Sequence, residues 1–253
     1  MDISELTAEN FTANLSMRIL EDEEIISNTE GNLYAHRQDD RTLSYSMIAY
    51  DIVERFNPSK QDSILEVCCG AGHLTHFLYH HSGNKNIVAT DGSKELIHAA
   101  KEKYKQDLIK FEVQNIYQHS FQKQNELVVC MDSFHHFSDP IKSLISLMRL
   151  VKKGGSLYII DLARDCPIDL VKERKNAIKN LHEQKRFLRS LNASLTHLEM
   201  EENLLKAGAQ SYQIIYPRKF SKANLTYHAK QIANDKTNEY LYEKMFGIYI
   251  VNI

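Results

Sequence analysis

The chain has 253 residues, with 31 lysines and arginines against 33 acids and a formal charge of −2. That balance lacks the basic excess on which broad nucleic-acid binding depends, and no apolar run approaches the length that spans a bilayer. The size and an apolar content of 43% fit one α/β domain over residues 1–253, with a helical cap and helical insertions. The first ten residues are polar and acidic, without a basic-then-apolar leader, so a cytoplasmic protein is expected. The sequons starting at Asn10, Asn14, Asn192 and Asn224 are then chance matches. Cys68, Cys69, Cys130 and Cys166 fit neither zinc spacing nor a disulfide framework, and read as reduced thiols packed as small hydrophobes.

Residues 1–43 are polar with little regularity; Ile19, Leu20, Ile25 and Ile26 allow a short helix that Gly31-Asn32 ends. Ser44 to Phe56 is a better helix. Tyr45, Ile48, Ala49, Ile52, Val53 and Phe56 form one stripe, and Asn57-Pro58 stops it. Ile64 to Val67 is an apolar run broken only by Glu66 and reads as a buried strand. Gly70-Ala71-Gly72 then turns the chain, and Leu74, Phe77 and Leu78 fall at helical spacing over 73–81. Strand, glycine turn and helix open a nucleotide-type site, with the N–H groups of the helix start facing a ligand beyond the strand's carboxyl end. A dinucleotide calls for a third glycine where this chain has Thr75, and Glu66 would repel a pyrophosphate. The acid suits the ammonium and sulfonium end of S-adenosylmethionine instead.

Glu66-Val67-Cys68-Cys69-Gly70-Ala71-Gly72 resembles motif I of the class I methyltransferases, acid-x-Gly-x-Gly-x-Gly, with Cys68 standing where that family usually has its first glycine. Asn86 to Asp91 is a second strand, followed by Gly92-Ser93 and a helix through Leu96, Ile97, Ala99, Ala100 and Tyr104. Asp91 stands where a ribose diol is held; its other reading is a helix N-cap. Leu108 to Val113 is a third strand. In the Gln114-Asn115-Ile116 that follows, the family usually carries an acid for the adenine amino group, and Asn115 keeps an acceptor there. A fourth strand, Glu126 to Met131, runs into Asp132-Ser-Phe-His-His-Phe-Ser-Asp-Pro140, and Ser138 or Asp139 caps the next helix. Lys152-Lys153-Gly154-Gly155 reads as that helix's end and Ser156 to Asp161 as the fifth strand. The block from Glu126 to Asp161 is similar to the family's motif IV through motif V region in its small-molecule members, so the resemblance covers residues 45–162 well.

The resemblance implies a Rossmann-like sheet of seven strands, mostly parallel, with the last strand antiparallel between the fifth and sixth and helices on both faces. It implies S-adenosylmethionine as cofactor and S-adenosylhomocysteine as product, held by Glu66, Cys69, Gly70, Gly72, Asp91, Gly92, Asn115, Ile116 and Met131. Residues 1–57 form a cap in which Tyr34, His36 and Arg41 either face the site or belong to a solvated leader. Asp132 and His135 are the candidate catalytic groups at the mouth of the fourth strand, with His135 facing the substrate or methionine end; the histidine pair 135–136 otherwise reads as structural imidazoles. In this fold Cys69 and Cys130 end neighbouring strands. His73, His76 and His80 share a helical face, but no Glu follows the first of the i, i+4 pair and no metal site is read there.

Residues 163–191 read as a helical insertion that Pro167 opens, rich in Lys172, Arg174, Lys175, Lys179, Lys185, Arg186 and Arg189. It is either an amphipathic lid with a solvated face or a dock for an acidic carrier protein or anionic substrate. Thr196-x-x-Glu199 caps a further helix that Gly208 closes. Ser211 to Tyr216 is a sixth strand, 220–242 a second insertion and Phe246 to Val251 the last strand. Asp132-Ser-Phe-His is not the Asn/Asp-Pro-Pro-Tyr/Phe of enzymes acting on exocyclic base amines, and Cys166-Pro167 reverses the Pro-Cys of cytosine-C5 enzymes. A small organic acceptor, free or on a carrier, is the default, with oxygen, nitrogen and carbon unseparated; the alternative is a catalytically silent cofactor-binding module.

Overall fold

The computed structural model describes residues 18–20, 42–118, 124–217 and 245–253. Five strands, β1 (Ile64–Val67), β2 (Ile87–Asp91), β3 (Lys110–Val113), β4 (Asn125–Met131) and β5 (Val151–Leu162), pair in parallel. β7 (Phe246–Asn252) lies between β5 and β6 (Ser211–Ile215), antiparallel to both. The order is β3-β2-β1-β4-β5-β7-β6, so the seven-stranded sheet and its inserted last strand are as expected. The order reverses between β1 and β4, and in open α/β sheets the crevice beyond the carboxyl ends at that reversal is where ligands bind.

Seven α-helices are described: α1 (Thr42–Phe56), α2 (His73–Ser82), α3 (Lys94–Lys103), α4 (Pro140–Met148), α5 (Ile168–Ala177), α6 (Leu181–Ala193) and α7 (His197–Lys206). Alternate side chains of each central strand feed two cores, as the period of two demands. Leu127, Val129 and Met131 of β4 pack with Ile52 of α1, Leu78 of α2 and Leu188 and Leu191 of α6. Val128 and Cys130 pack on the other face with Leu144 and Leu147 of α4 and Leu204 of α7. All four residues of β1 are buried, the acid Glu66 among them. Fully burying a large aliphatic side chain contributes about 1.5–3 kcal/mol, so these two layers hold the crevice walls rigid.

Three sequence expectations change. Lys152 to Gly155 does not close a helix: α4 stops at Met148, and these residues lie inside β5, where the ladder to β4 jumps from Asn125↔Val151 to Leu127↔Ser156. Gly154 takes φ +81°, and a Cβ on Gly155 would sit 2.7 Å from the Glu126 carbonyl, so the glycines serve a bulge rather than a helix cap. The insertion at 163–191 is two helices, α5 and α6: α5 stops at its C-cap Ile178, and Asn180 starts α6, its side chain accepting from the N–H groups of His182 and Glu183. The sixth strand ends at Ile215, one residue short. The proposed insertion at 220–242 and the residues Tyr34, His36 and Arg41 lie outside the described residues. No helix among those described is long and apolar enough to cross a membrane.

Asp139 caps α4 with Pro140 at its first position, and Thr196 with Glu199 forms the full capping box of α7. Glu199 also accepts both oxygens' worth of hydrogen bonds from the buried Arg164, whose Nε donates to the Ser194 carbonyl at 3.0 Å. That pair ties the end of β5 to the start of α7.

Candidate cofactor and catalytic site

The turn after β1 carries three left-handed residues in five: Cys68 at φ 56°, Gly70 at 55° and Gly72 at 80°. Gly72 needs to be glycine for two reasons. Its φ disfavours any side chain, and a Cβ there would meet Phe111 of β3 at 2.7 Å and Ala100 of α3 at 3.2 Å. Cys68 keeps the glycine-like backbone without being glycine, at a cost of roughly 1–2 kcal/mol for a left-handed L-residue. Its thiol lies against Cys130, one residue past the Val67↔Cys130 pair of β1 and β4. The neighbouring thiols at these strand ends are therefore Cys68 and Cys130, not Cys69 and Cys130. The αL bend turns Cys68 toward β4, while the buried Cys69 joins the cluster on the β2–β3 side with Ala89 and Phe111. Its hydrogen bond with Cys68 and burial both raise the Cys130 thiol above its usual range.

Asp91, at the end of β2, reaches across to this turn. Its Oδ2 accepts the Gly70 N–H at 2.9 Å and its Oδ1 accepts the Ser93 N–H at 2.8 Å. Burial raises its pKa, and those two N–H groups and His136 pull it back down. Ser93, not Asp91, is the N-cap of α3, its side chain accepting from the Leu96 N–H. Gly92 is exposed, and a Cβ added there would meet nothing within 4 Å. Glu66 lies beneath the turn with the Thr75 hydroxyl donating to it. It is 2% exposed, and burial pushes its pKa from 4.5 up to about 8, with the Asp91 charge adding to the rise. The residue that departs from the dinucleotide pattern, Thr75, is thus the partner of the acid that also departs from it.

On the β3 side, Asn115 is exposed and its side-chain oxygen accepts the Tyr117 N–H at 2.9 Å, closing its own turn; a second lone pair remains on that oxygen. Ile116 and Met131 are buried, in the two opposite cores.

The catalytic candidates gather at the ends of β4 and β5. Asp132 has φ 49°, and its N–H donates to the Ile160 carbonyl at 2.8 Å. The His135 ring is buried, with Nδ1 at 2.6 Å from Asp161 Oδ1, while its backbone N–H donates to Asp161 Oδ2 at 2.6 Å. Ligating atoms of Asp132, His135 and Asp161 all lie within 4.8 Å of one another. His136 is the exposed member of the pair, its ring centroid 4.1 Å from that of His135.

Sequence reasoning missed two members. Asp161 is the last residue but one of β5, at the adjacent carboxyl end, and that position was the available signal. Arg18 carried none. Its Nη2 donates to the carbonyls of His135 and Phe137 at 2.9 and 2.8 Å, and its Nε to Ala193 at the end of α6 at 2.5 Å. Burial lowers its pKa, against the charges of Asp161 and Glu199, which raise it.

Residues 64–155 match the family model described as a methyltransferase domain. Over that stretch the chain is similar to a methyltransferase domain. It is 27% identical over 117 residues to a malonyl-[acyl-carrier protein] O-methyltransferase of Priestia megaterium, covering 46% of this chain and 42% of that protein. It is 28% identical over 136 residues to an uncharacterised methyltransferase of Schizosaccharomyces pombe, covering 49% and 47%. The chain spans about half the length of the curated relatives it matches. Among solved structures, the plantazolicin methyltransferase BpumL in complex with S-adenosylhomocysteine shares the methyltransferase fold at TM-score 0.67 and 19% identity, over 99% of this chain and 97% of that one.

Proposed function

We propose that this chain moves a methyl group from S-adenosylmethionine to a small organic acceptor, free or held on a carrier. The observation that supports it most is the Asp91 carboxylate set against the Gly70 N–H, at the lip of the crevice where the strand order reverses. The residues fit the cofactor: Asp91 offers acceptors to a ribose diol, open Gly92 leaves room beside it, and Glu66, held protonated by burial, would ionise to answer an ammonium or sulfonium.

When bound, the cofactor supplies an electrophilic methyl whose carbon–sulfur bond breaks with its electrons going to sulfur. The chain's own work is alignment and proton handling. Much of the rate of such a displacement comes from holding the acceptor in line. A general base is called for only when the acceptor arrives protonated. His135 takes that proton in this reading. Asp161 is a positioning residue: it fixes the imidazole by accepting from Nδ1–H, which leaves Nε2 as the basic nitrogen, and it stabilises the imidazolium once formed.

The relatives named for malonyl-acyl-carrier-protein methylation give the carrier-bound reading its support. So do Lys172, Lys179 and Lys185 on α5, α6 and the link between them, which are exposed or half-buried. An acidic carrier would meet these cations, and its association would weaken as salt rises.

Titration calorimetry with S-adenosylhomocysteine tests the cofactor assignment: wild type binds one equivalent and Asp91→Ala binds it about 100-fold more weakly. Absence of binding by the wild type refutes it. Labelled methyl donor turned over with an extract of small acids and amines then separates an enzyme from a silent binding module.

A further inference from the structure

We propose that His76, His80 and Asp107 form a binding site for a divalent transition-metal ion of the zinc class, on the outer side of α2 and separate from the crevice. The two histidines lie one helical turn apart, and their rings meet at a centroid distance of 4.4 Å. The third member comes from the turn after α3, which sequence spacing does not reveal. His76 Nδ1 is 2.6 Å from Asp107 Oδ2, and His80 Nε2 is 3.2 Å from Asp107 Oδ1. All the ligating atoms lie within 4.8 Å of one another.

The arrangement is held before any ion arrives. The Asp107 N–H donates to the Tyr104 carbonyl at 2.9 Å, which fixes the turn. The Tyr104 ring stacks on His76 at 4.5 Å and 20°. Tyr104 is fixed in turn by His73 Nδ1, 2.5 Å from its hydroxyl. Two imidazoles and one carboxylate are a zinc-type donor set. Donors around a tetrahedral zinc stand about 3.3 Å apart, close to the His80–Asp107 separation; the His76 contact opens by under about 1 Å. The side chains are 27%, 36% and 11% exposed, so water completes the coordination and the ion enters from solvent. Each imidazole must present an unprotonated nitrogen where it now faces the carboxylate, so binding weakens in acid.

Occupancy would pin α2, whose N-terminus follows the glycine turn, to the α3–β3 connection. Co2+ titrated into the full chain, read by visible d–d absorption and calorimetry, tests this. Wild type is expected to bind one equivalent that Zn2+ displaces, and Zn2+ raises Tm. His80→Gln and Asp107→Asn each weaken Co2+ binding by at least about tenfold while keeping the far-ultraviolet dichroism of the wild type. His135→Gln, in the Asp132–His135–Asp161 group, retains it. No Co2+ binding by the wild type, unchanged binding in His80→Gln, or loss in His135→Gln instead would overturn the proposal.

Discussion

The two walls of the crevice are built differently. The β1–β2 wall is local: Glu66, Gly70, Thr75 and Asp91 fall within 26 consecutive residues, and its contacts run between one turn and the strand beside it. The β4–β5 wall is assembled from afar. His135 depends on Asp161, 26 residues on, and its loop is held by Arg18, 117 residues back, which also grips the end of α6. A wall made of one turn suits a ligand that never varies. A wall joined from three distant segments can change acceptor by altering any one of them, without touching the first.

If that division holds, damage to one wall should leave the other's function intact. The largest effect is expected from Asp161→Asn. It removes the charge that orients and stabilises His135, and kcat should fall by about 10²–10⁴-fold for a protonated acceptor. The alkaline limb of the pH–rate profile should regain rate, while S-adenosylhomocysteine affinity stays within about twofold. Loss of cofactor affinity alongside the rate would merge the two walls. Next comes Asp91→Ala, which removes two charge-assisted hydrogen bonds to ribose and should weaken S-adenosylhomocysteine by about 100-fold in calorimetry. A loss under about threefold would leave Asp91 as a brace for Gly70 and Ser93 only.

Glu66→Gln should act through pH. The Glu66 carboxyl titrates near 8 in the fold and near 4.5 when exposed. The folded state therefore binds more protons between those values, and stability from this group is full below about 4.5 and lost as pH rises through about 8. Wild-type Tm should drop over that window, and Glu66→Gln should flatten the drop. S-adenosylmethionine, drawing on the carboxylate form, should bind the wild type more tightly as pH rises toward 8, with release of a proton; a pH-independent affinity would detach Glu66 from the ligand. The smallest effect is expected from Cys68→Gly. Relief of the left-handed strain, roughly 1–2 kcal/mol, opposes glycine's backbone entropy of roughly 0.5–1 kcal/mol. The net stabilisation, before the loss of the Cys130 contact is counted, should be about 0–1.5 kcal/mol by urea melt, with cofactor affinity unchanged.

The same division sets what the sequence discloses. β1, Gly72 and Asp91 are legible because strand, turn and acid follow one another at fixed spacing, and each obeys a local rule of burial or backbone geometry. The inserted β7 is expected from the resemblance alone. His135 is visible as a residue type in the right loop. Its burial is not visible, because that depends on Asp161 and on a clamp from Arg18, whose neighbours in the sequence show no apolar periodicity. Lys152 to Gly155 misleads for a related reason: cations followed by glycines suit both a helix end and a bulged strand, and only the pairing with Asn125 and Leu127 decides. Asn115 keeps the acceptor that its position calls for, but the turn uses it first.

The placement of β7 has its own consequence. Among the described residues, β6 is hydrogen-bonded to no strand but β7, and β7 alone joins it to β5. Seven residues therefore act as a keystone: the wing formed by β6 docks only after the segment that follows it in the chain has been laid down, and slow exchange of β6 amides with deuterium tracks the seating of a strand more than thirty positions away.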